Sequence, residues 1–513
     1  MACLPSRCPS PACPNRVSPA GLHKPAFLFI CREKDENIRT MRPTGESFMS
    51  AISTSATATP THAKATAIFT CVLAALAGLM FGLDIGVIAG AQQFIQKDFM
   101  IDDNTIEWIV SIMMAGAALG ALSAGWLSSQ LGRKRSLILG AVLFVAGSVL
   151  CGVAWTPSAL IAGRLVLGLA IGIASFTAPL YLAEIAPESV RGAMISLYQL
   201  MITIGILAAA LSNAALSYTG SWRWMLGIIA IPGALFLLGV AFLPESPRWL
   251  MMRNRQSEAE QVLHRLLGSN DAIAREIGEI REQLKTPQRG VHMFFQNANF
   301  RRSVGLGVLL QIMQQLTGMN VVMYYAPRIF EGMGYATEAQ MWFTVIVDLV
   351  NVLATFIAIG LVDKLGRKPI LYIGFVVMAL GLGVVGTMMH LGIHTHGEQT
   401  FTVGMLLVFI VGFAMSAGPL IWTLCSEIQP LKGRDFGIGC STFTNWAANW
   451  LVGVSFLSLL NGIGNAATFW LYAAFNVVFI MLTLWLVPET KGITLEQIER
   501  NLLGGKRLRE IGR

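Results

Sequence analysis

Apolar residues in this chain come in long unbroken runs, without the alternation of a half-buried strand. A helix that crosses the hydrocarbon layer of a bilayer needs about 20 mostly apolar residues. Twelve stretches meet that length: 66–92, 106–129, 136–154, 158–182, 192–217, 223–243, 303–326, 341–362, 369–390, 401–425, 436–461 and 465–487. In the gap at 244–302 the apolar residues fall back to helical spacing around Ser257–Leu284, which predicts short amphipathic helices and no large domain. Leu495–Leu503 near the C-terminus has the same amphipathic pattern. Residues 1–64 are rich in Pro, Ser and Thr, and their longest apolar run, Ala26 to Cys31, is too short for the core of a signal peptide. They are expected to form a disordered tail, with Met41 and Met49 as alternative starts to Met1.

Composition supports the membrane reading. Of the 513 residues, 54% are apolar and 13% charged, against roughly 25% charged in soluble domains. The net charge of +8 would suit nucleic acid in a soluble protein, but here the cations sit in short gaps between apolar runs. Short cytoplasmic loops retain Lys and Arg. With both termini inside, 33 cations fall on the cytoplasmic side, 3 outside (Lys97, Arg223, Arg328) and 1 within a span (Arg164). This predicts a multi-pass membrane protein with both termini cytoplasmic, the lipid bilayer as its surroundings and no nucleic-acid partner.

Four cysteines lie in the tail and four in apolar spans, without CxxC spacing, so neither disulfides nor a metal site is expected. His394, His396 and Glu398 share an external loop that lacks a third strong ligand, and read as solvated. No nucleophile–His–acid set, phosphate-binding loop or cofactor motif occurs in the chain. An enzyme, a cofactor and an ATP-driven pump are therefore not expected.

The two sets of six spans repeat. Leu131-Gly132-Arg133-Lys134 follows the second span and Leu365-Gly366-Arg367-Lys368 the eighth. Glu184-Ile185 with Arg191-Gly192 follows the fourth, and Glu427-Ile428 with Gly433-Arg434 the tenth. Pro244-Glu245-Ser246 closes the sixth as Pro488-Glu489-Thr490 closes the twelfth. Matched landmarks in the same order imply two six-helix bundles with a site between them, the architecture of a carrier that rocks. The expected organisation is a tail (1–64), a first bundle (65–243), a linker (244–302), a second bundle (303–487) and a tail (488–513).

These motifs, with Pro244-Glu245-Ser246-Pro247-Arg248-Trp249-Leu250, Gln314-Gln315-Leu316-Thr317-Gly318-Met319-Asn320 and Pro488-Glu489-Thr490-Lys491-Gly492, resemble the sugar porters of the major facilitator superfamily over roughly residues 65–513. Phe81-Gly82-Leu83-Asp84 and Ser426-Glu427-Ile428-Gln429-Pro430 are more similar to its bacterial hexose and pentose symporters, the galactose and arabinose branch, than to the animal glucose facilitators. The resemblance implies an all-α membrane protein of the major facilitator fold, acting as a monomer that takes up a monosaccharide with a proton. Galactose or glucose is favoured, with arabinose next and xylose behind. Two departures stand out: Ser129-Gln130 replaces the acid that often precedes the first Gly-Arg-Lys, whereas the second half keeps Asp363, and Asp348 stands where related porters usually have glycine.

Asp84 is the only acid of the first span and Arg164 the only cation of the fourth. A bare charge near the bilayer centre costs about 2.5–3.5 kcal/mol on insertion scales, so each is expected to find a partner or water. The resemblance pairs them as the proton-coupling element, with a fixed helix–helix ion pair as the alternative. Sugar recognition calls for amides and indoles, since amides bond hydroxyls and aromatic faces cover the C–H side of a pyranose. By resemblance Gln199, Gln314, Gln315, Asn320 and Asn351 fall on sugar-contacting positions, Trp422 stacks, and Asn445 and Trp446 lie nearby. Amides that only cement helix pairs are the competing reading, strongest for Asn449. Phe81 and Tyr324 serve either as cavity wall or as packing.

Ile206 shares a helix face with Gln199, where some xylose-type symporters carry a second glutamine, and so favours a hexose pocket. Asp348, three residues before Asn351, is either a second titratable group or a carboxyl hydrogen-bonded to a neighbour. Arg133, Glu184, Arg191, Glu245, Arg248, Arg367, Glu427, Arg434 and Glu489 gather at span ends and are expected to close the cytoplasmic side as a charge network. Positive-inside topology alone accounts for the cations but not the glutamates. An uncoupled facilitator and a non-transporting sugar sensor remain the other functional classes; sugar-driven alkalinisation and transport by purified protein in liposomes separate them from a symporter.

Overall fold

The computed structural model describes residues 60–186, 191–285, 290–430 and 433–512, and among these no strand forms. Residues 1–59 of the tail, with the alternative starts, lie outside the described residues. The first six spans are α1 (Pro60–Phe99), α2 (Asp103–Leu131), α3 (Arg133–Gly152), α4 (Pro157–Ile185), α5 (Arg191–Ser217) and the pair α6 (Trp222–Gly227) and α7 (Ala230–Phe242). Four short helices follow in the linker: α8 (Pro247–Met252), α9 (Gln256–Leu267), α10 (Asn270–Leu284) and α11 (Gly290–Gln296). The second six are α12 (Ala298–Gln315) with α13 (Met319–Gly332), α14 (Thr337–Leu365), α15 (Arg367–Leu391), α16 (His396–Met415) with α17 (Ala417–Glu427), α18 (Arg434–Ile463) and α19 (Asn465–Leu486). The amphipathic α20 (Leu495–Leu503) closes the set.

Twelve helices among the described residues are long and apolar enough to cross a membrane, at the twelve places that the apolar runs predict. Most extend past those runs, α1 by several residues at each end, because a helix continues into polar surroundings after its apolar core stops. Three spans are interrupted where the sequence reading drew one helix: α6–α7, whose joining residues Ile228 and Ile229 keep helical angles, and two sharper breaks. Between α12 and α13, Gly318 adopts φ +92°, which favours glycine, and a side chain there would press on the ring of Tyr472. Further along α13 the backbone kinks at Tyr325, two residues ahead of Pro327, whose ring cannot continue the helical hydrogen-bond ladder. Between α16 and α17, Ser416 leaves the helical region and turns its hydroxyl onto the Gly412 carbonyl at 2.5 Å.

Successive spans run in opposite directions. The start of α1, the α2–α3 and α14–α15 corners and the linker share one end, called here the Arg133 end; the α1–α2 corner and the end of α13 share the other, the Asp103 end. Within the first half, Gly78, Gly82 and Gly86 of α1 lie directly on the backbone or side chains of Tyr198, Ile202, Ile206 and Ala209 in α5, so that any side chain added there would overlap them. Close approach through small residues gives helices in a membrane their van der Waals contact, since lipid supplies no hydrophobic drive to associate.

The Gly-Arg-Lys corners explain the sequence repeat. Gly132 and Gly366 take nearly the same conformation, φ/ψ of 96°/167° and 93°/164°. In each corner a glutamate caps the next helix: Glu245 accepts from the Arg133 and Lys134 backbone N–H groups at 2.9 and 3.1 Å, and Glu489 from those of Arg367 and Lys368, both at 3.0 Å. Negative charge at a helix N-terminus is favourable. The motif is therefore a corner clamp, built once per half.

Candidate coupling and substrate site

Arg164 on α4 and Asp84 on α1 meet. The guanidinium donates from Nη1 to Asp84 Oδ1 at 2.7 Å, and both side chains are fully buried. The remaining Arg164 nitrogens reach the backbone of α2, Nε to the Ile109 carbonyl at 3.3 Å and Nη2 to the Val110 carbonyl at 3.4 Å. Asp84 Oδ2 has no partner among the described residues. Three helices of one half are thus tied by a single cation, and one carboxylate oxygen is left over. One turn before Asp84 on the same helix, the Phe81 ring packs on Trp446 of α18 in the other half, with centroids 5.1 Å apart.

The amides divide into two kinds. Gln314 is fully engaged: its Nε2 donates to the Ala417 and Gly418 carbonyls at 2.8 and 3.0 Å, just past the break at Ser416, and its Oε1 accepts from Asn445 Nδ2 at 2.8 Å. Asn445 also donates to Gln311 Oε1 at 2.7 Å. These three side chains hold α12, α17 and α18 together, so in this conformation Gln314 and Asn445 act as helix cement. Across the α12–α13 break, Asn320 donates to Gln315 Oε1. Asn351 is buried and Gln199 half-buried; neither side-chain amide bonds to a described residue. The Trp422 indole is 37% exposed, whereas Trp446 is buried with its N–H unpartnered among the described residues. Tyr324 is also buried; its hydroxyl accepts from Asn449 Nδ2 at 3.0 Å, and it forms no open wall here.

The charges at the Arg133 end pair within their own halves. Arg133 forms a fork with Glu184, Nε to Oε2 and Nη2 to Oε1 both at 2.8 Å, and Glu184 also accepts from the Ser246 hydroxyl at 2.6 Å. In the second half Arg367 Nη2 reaches Glu427 Oε1 at 3.2 Å, and Thr490 donates to Glu427 Oε2 at 2.5 Å. Arg248 is half-buried on α8, and Arg434 faces the acids Asp435, Glu496 and Glu499. The side chain of Arg191 lies outside the described residues. A cavity of about 650 Å³ opens at this end between α1, α3, α7 and the linker, lined by Phe69, Leu73, Lys134, Arg135 and Glu245 among others. It touches none of the candidate sugar residues.

A polar seam at the Asp103 end escaped the sequence reading. Gln92 donates to the Tyr324 carbonyl at 2.9 Å, and Gln93 to Gln340 Oε1 at 2.9 Å. Arg328 pairs with Asp103 at 3.0 Å and also bonds Gln96, while Asn461 donates to Asp103 Oδ2 at 3.0 Å. The buried Glu107 accepts from the Ser458 N–H at 2.8 Å and its hydroxyl at 2.6 Å. Every one of these bonds joins the first six spans to the second six. The signal available in sequence was Glu107, an acid inside the second apolar run, and the glutamines that close the first.

Two like halves of six membrane-length spans, joined by a polar seam, with a buried ion pair in one half and an amide cluster in the other, define a membrane transporter of the major facilitator fold. The chain belongs to the sugar (and other) transporter family, whose profile matches residues 70–502. It is 66% identical over 450 residues, 88% of this chain and 97% of the relative, to the galactose-proton symporter of Escherichia coli strain K12. The arabinose-proton symporter of the same strain is 55% identical over 471 residues, 90% of this chain and 100% of that one. Among solved structures, the partially occluded inward-open form of the xylose transporter XylE from E. coli superposes with a TM-score of 0.73 at 30% identity, covering 82% of this chain and all of that one.

Proposed function

We propose that this protein is a monosaccharide–proton symporter that imports a hexose of the galactose or glucose type by alternating access. The observation that carries the reading is the buried Asp84–Arg164 pair, with its spare carboxylate oxygen, on the helix whose Phe81 packs against Trp446 of the opposite half. Contact with Arg164 supports the charged form of Asp84. A shift of α4 relative to α1 that lengthens the 2.7 Å contact removes that support, and the carboxyl then takes a proton. Neutral Asp84 no longer holds α1 to α4, so protonation biases the conformational equilibrium.

The sugar contacts proposed are the amides of Gln199, Gln315, Asn320 and Asn351, with Trp422 covering the apolar face. Gln314, Asn445 and Trp446 shape the far wall, and a sugar hydroxyl gives the unpartnered Trp446 N–H an acceptor. Phe81 and Tyr324 sit where the halves meet and serve as the gate between proton site and sugar site. The chain is proposed to lie in a bacterial inner membrane as a functional monomer, with both termini cytoplasmic, which makes the Arg133 end the inner one. In that orientation the polar seam closes the outside, and the conformation described faces inward. The glutamate–arginine clamps at the inner end are half-internal here; closing the inner side in the outward-facing form is their proposed second role.

Purified protein in liposomes tests this directly. Addition of galactose or glucose should alkalinise the medium outside, and unlabelled galactose and glucose should displace labelled galactose before arabinose or xylose does. Sugar entry without alkalinisation would make the protein a facilitator, and no sugar entry at all would end the transport reading.

A further inference from the structure

Asp348 is 3% exposed, mid-span on α14, on the side away from the exposed lipid-facing stripe Ile346, Leu349 and Leu353. It receives no hydrogen bond and meets no cation among the described residues. The other buried carboxylates at membrane depth are provided for, Asp84 by Arg164 and Glu107 by Ser458. Of the two readings open in sequence, a carboxyl bonded to a neighbour is therefore gone.

The face that carries Asp348 is a contact between halves. Met341 and Val345 of α14 pack with Ala210 and Ala214 of α5, and Leu207 and Phe94 lie at the edge of the same cluster. At the rim the Trp342 indole N–H reaches the Tyr218 hydroxyl at 3.4 Å. Because the two helices run antiparallel, three residues beyond Val345 bring Asp348 about level with Leu207. Among the described residues no opposite charge stands at that depth. On α5 the ionisable residues are Arg191, roughly 24 Å down the helix from Leu207 at 1.5 Å per residue, and Tyr198. On α13, Tyr324 and Tyr325 cannot supply a cation, while Arg328 sits at the Asp103 end, bound to Asp103 and Glu331. The ionisable residues of α15 (Arg367, Lys368, Tyr372, His390) and α16 (His396, Glu398), and Glu338, Asp363 and Lys364 of α14 itself, lie near helix ends or carry no positive charge at mid-span. Across α5, Arg164 is already taken by Asp84.

We propose that Asp348 is a proton-operated lock on the α5–α14 seam. With the seam packed as here, the side chain is almost fully buried and meets no cation that could support a charge, so it carries a proton. When α5 and α14 part, water reaches it and it becomes a carboxylate. The step is a proton transfer alone: the closing carboxylate takes H⁺ from a hydronium ion on the side to which the opened seam faces, leaving water and the neutral acid. Closure of the seam is thereby linked to the uptake of one proton, and acid favours the closed form. This lock is independent of the coupling role proposed for Asp84, because it acts on the seam whether or not sugar is present.

Hydrogen–deuterium exchange of the full chain in nanodiscs, without sugar, tests it. Protection of peptides spanning residues 203–218 and 337–350 is read at about pH 6 and about pH 8.5, with labelling times scaled to the intrinsic rates. In the wild type the open-to-closed ratio should rise by up to tenfold per pH unit, the limit for one linked proton. Asp348→Asn, which mimics the neutral acid, and Asp348→Gly, which removes the group, should both stay protected at the higher pH. An Asp84→Asn protein should keep the pH response. A wild type without pH response overturns the lock, as does an unchanged response in both Asp348 variants, or its loss on Asp84→Asn alone. None of these outcomes depends on sugar-driven alkalinisation, so failure of the symport reading is seen separately.

Discussion

Replacing Asp84 should separate what the ion pair does for stability from what it does for transport. Asp84→Ala leaves Arg164 fully buried with only the Ile109 and Val110 carbonyls, at 3.3 and 3.4 Å, to receive it. Removing one partner of a buried pair costs about 3–5 kcal/mol. Asp84→Asn keeps an acceptor where Oδ1 now meets Nη1 at 2.7 Å, and a hydrogen bond to a charged group is worth about 1.5–3 kcal/mol, so Asn should cost about half as much as Ala. Transport should not follow that grading. Neither variant can carry a proton at residue 84, so accumulation of labelled galactose driven by an imposed pH gradient should vanish in both. Counterflow, which needs no net proton movement, should persist in the better-folded Asn variant. Thermal unfolding in detergent and the two uptake modes in proteoliposomes give all the quantities. An Asn variant that still accumulates sugar refutes the coupling role. If counterflow and accumulation fall in equal proportion, the pair is structural.

The remaining expectations concern the amides, the corners and the seam. Gln315→Ala and Asn351→Ala should each raise the sugar KM by up to about tenfold, one hydrogen bond being worth about 0.5–1.5 kcal/mol, with little change in melting temperature. Gln314→Ala should lower the melting temperature as well, because it gives up bonds to Ala417, Gly418 and Asn445. Gly132→Ala and Gly366→Ala force an L side chain into a region open almost only to glycine, beside Glu245 and Glu489, and should each cost about 1–3 kcal/mol by thermal unfolding. Arg328→Ala removes a partly exposed contact worth less than about 1 kcal/mol to stability, yet should speed hydrogen exchange in α13 by loosening the Asp103 end.

Span number and position were legible because hydrophobic length is a one-dimensional property and the bilayer sets its scale. Asp84 and Arg164 stood out for the same reason, as charges inside apolar runs that each need a partner or water, while their pairing with each other came from the family resemblance. The breaks at Gly318 and Ser416 were not legible, because both lie within stretches apolar enough to read as one helix and hydropathy carries no dihedral information. Gln314, read on sequence as a sugar contact, bonds the Ala417 and Gly418 carbonyls in the first turn of α17 and Asn445 of α18, partners on other helices that hydropathy does not reveal. The seam stayed hidden for a topological reason: Gln92 and Tyr324, or Glu107 and Ser458, are 232 and 351 residues apart in the chain, and each alone resembles an ordinary polar residue at a span end.

The distribution of strong and weak contacts indicates where this molecule can move. Inside each half the charges are forked or capped, as at Arg133–Glu184 and Glu489–Lys368, and glycines bring α1 onto α5 without intervening side chains. Between halves, the seam consists of amide bonds, one partly exposed ion pair, the buried Glu107–Ser458 bonds and small apolar contacts such as Ala210 with Val345. Alternating access as proposed parts the halves along this seam, and protonation of Asp84 loosens one α1–α4 contact within the first half. Asp84 is tied to α4 of its own half through Arg164, but Phe81, one turn away, belongs to the seam through Trp446. A change of charge on Asp84 is thus felt on α1 as a change in its hold on α4, and α1 passes it to α18 through one aromatic contact. Coupling by this route requires no contact between proton and sugar, and it predicts that Phe81→Ala uncouples the protein while leaving both the ion pair and the amide cluster in place.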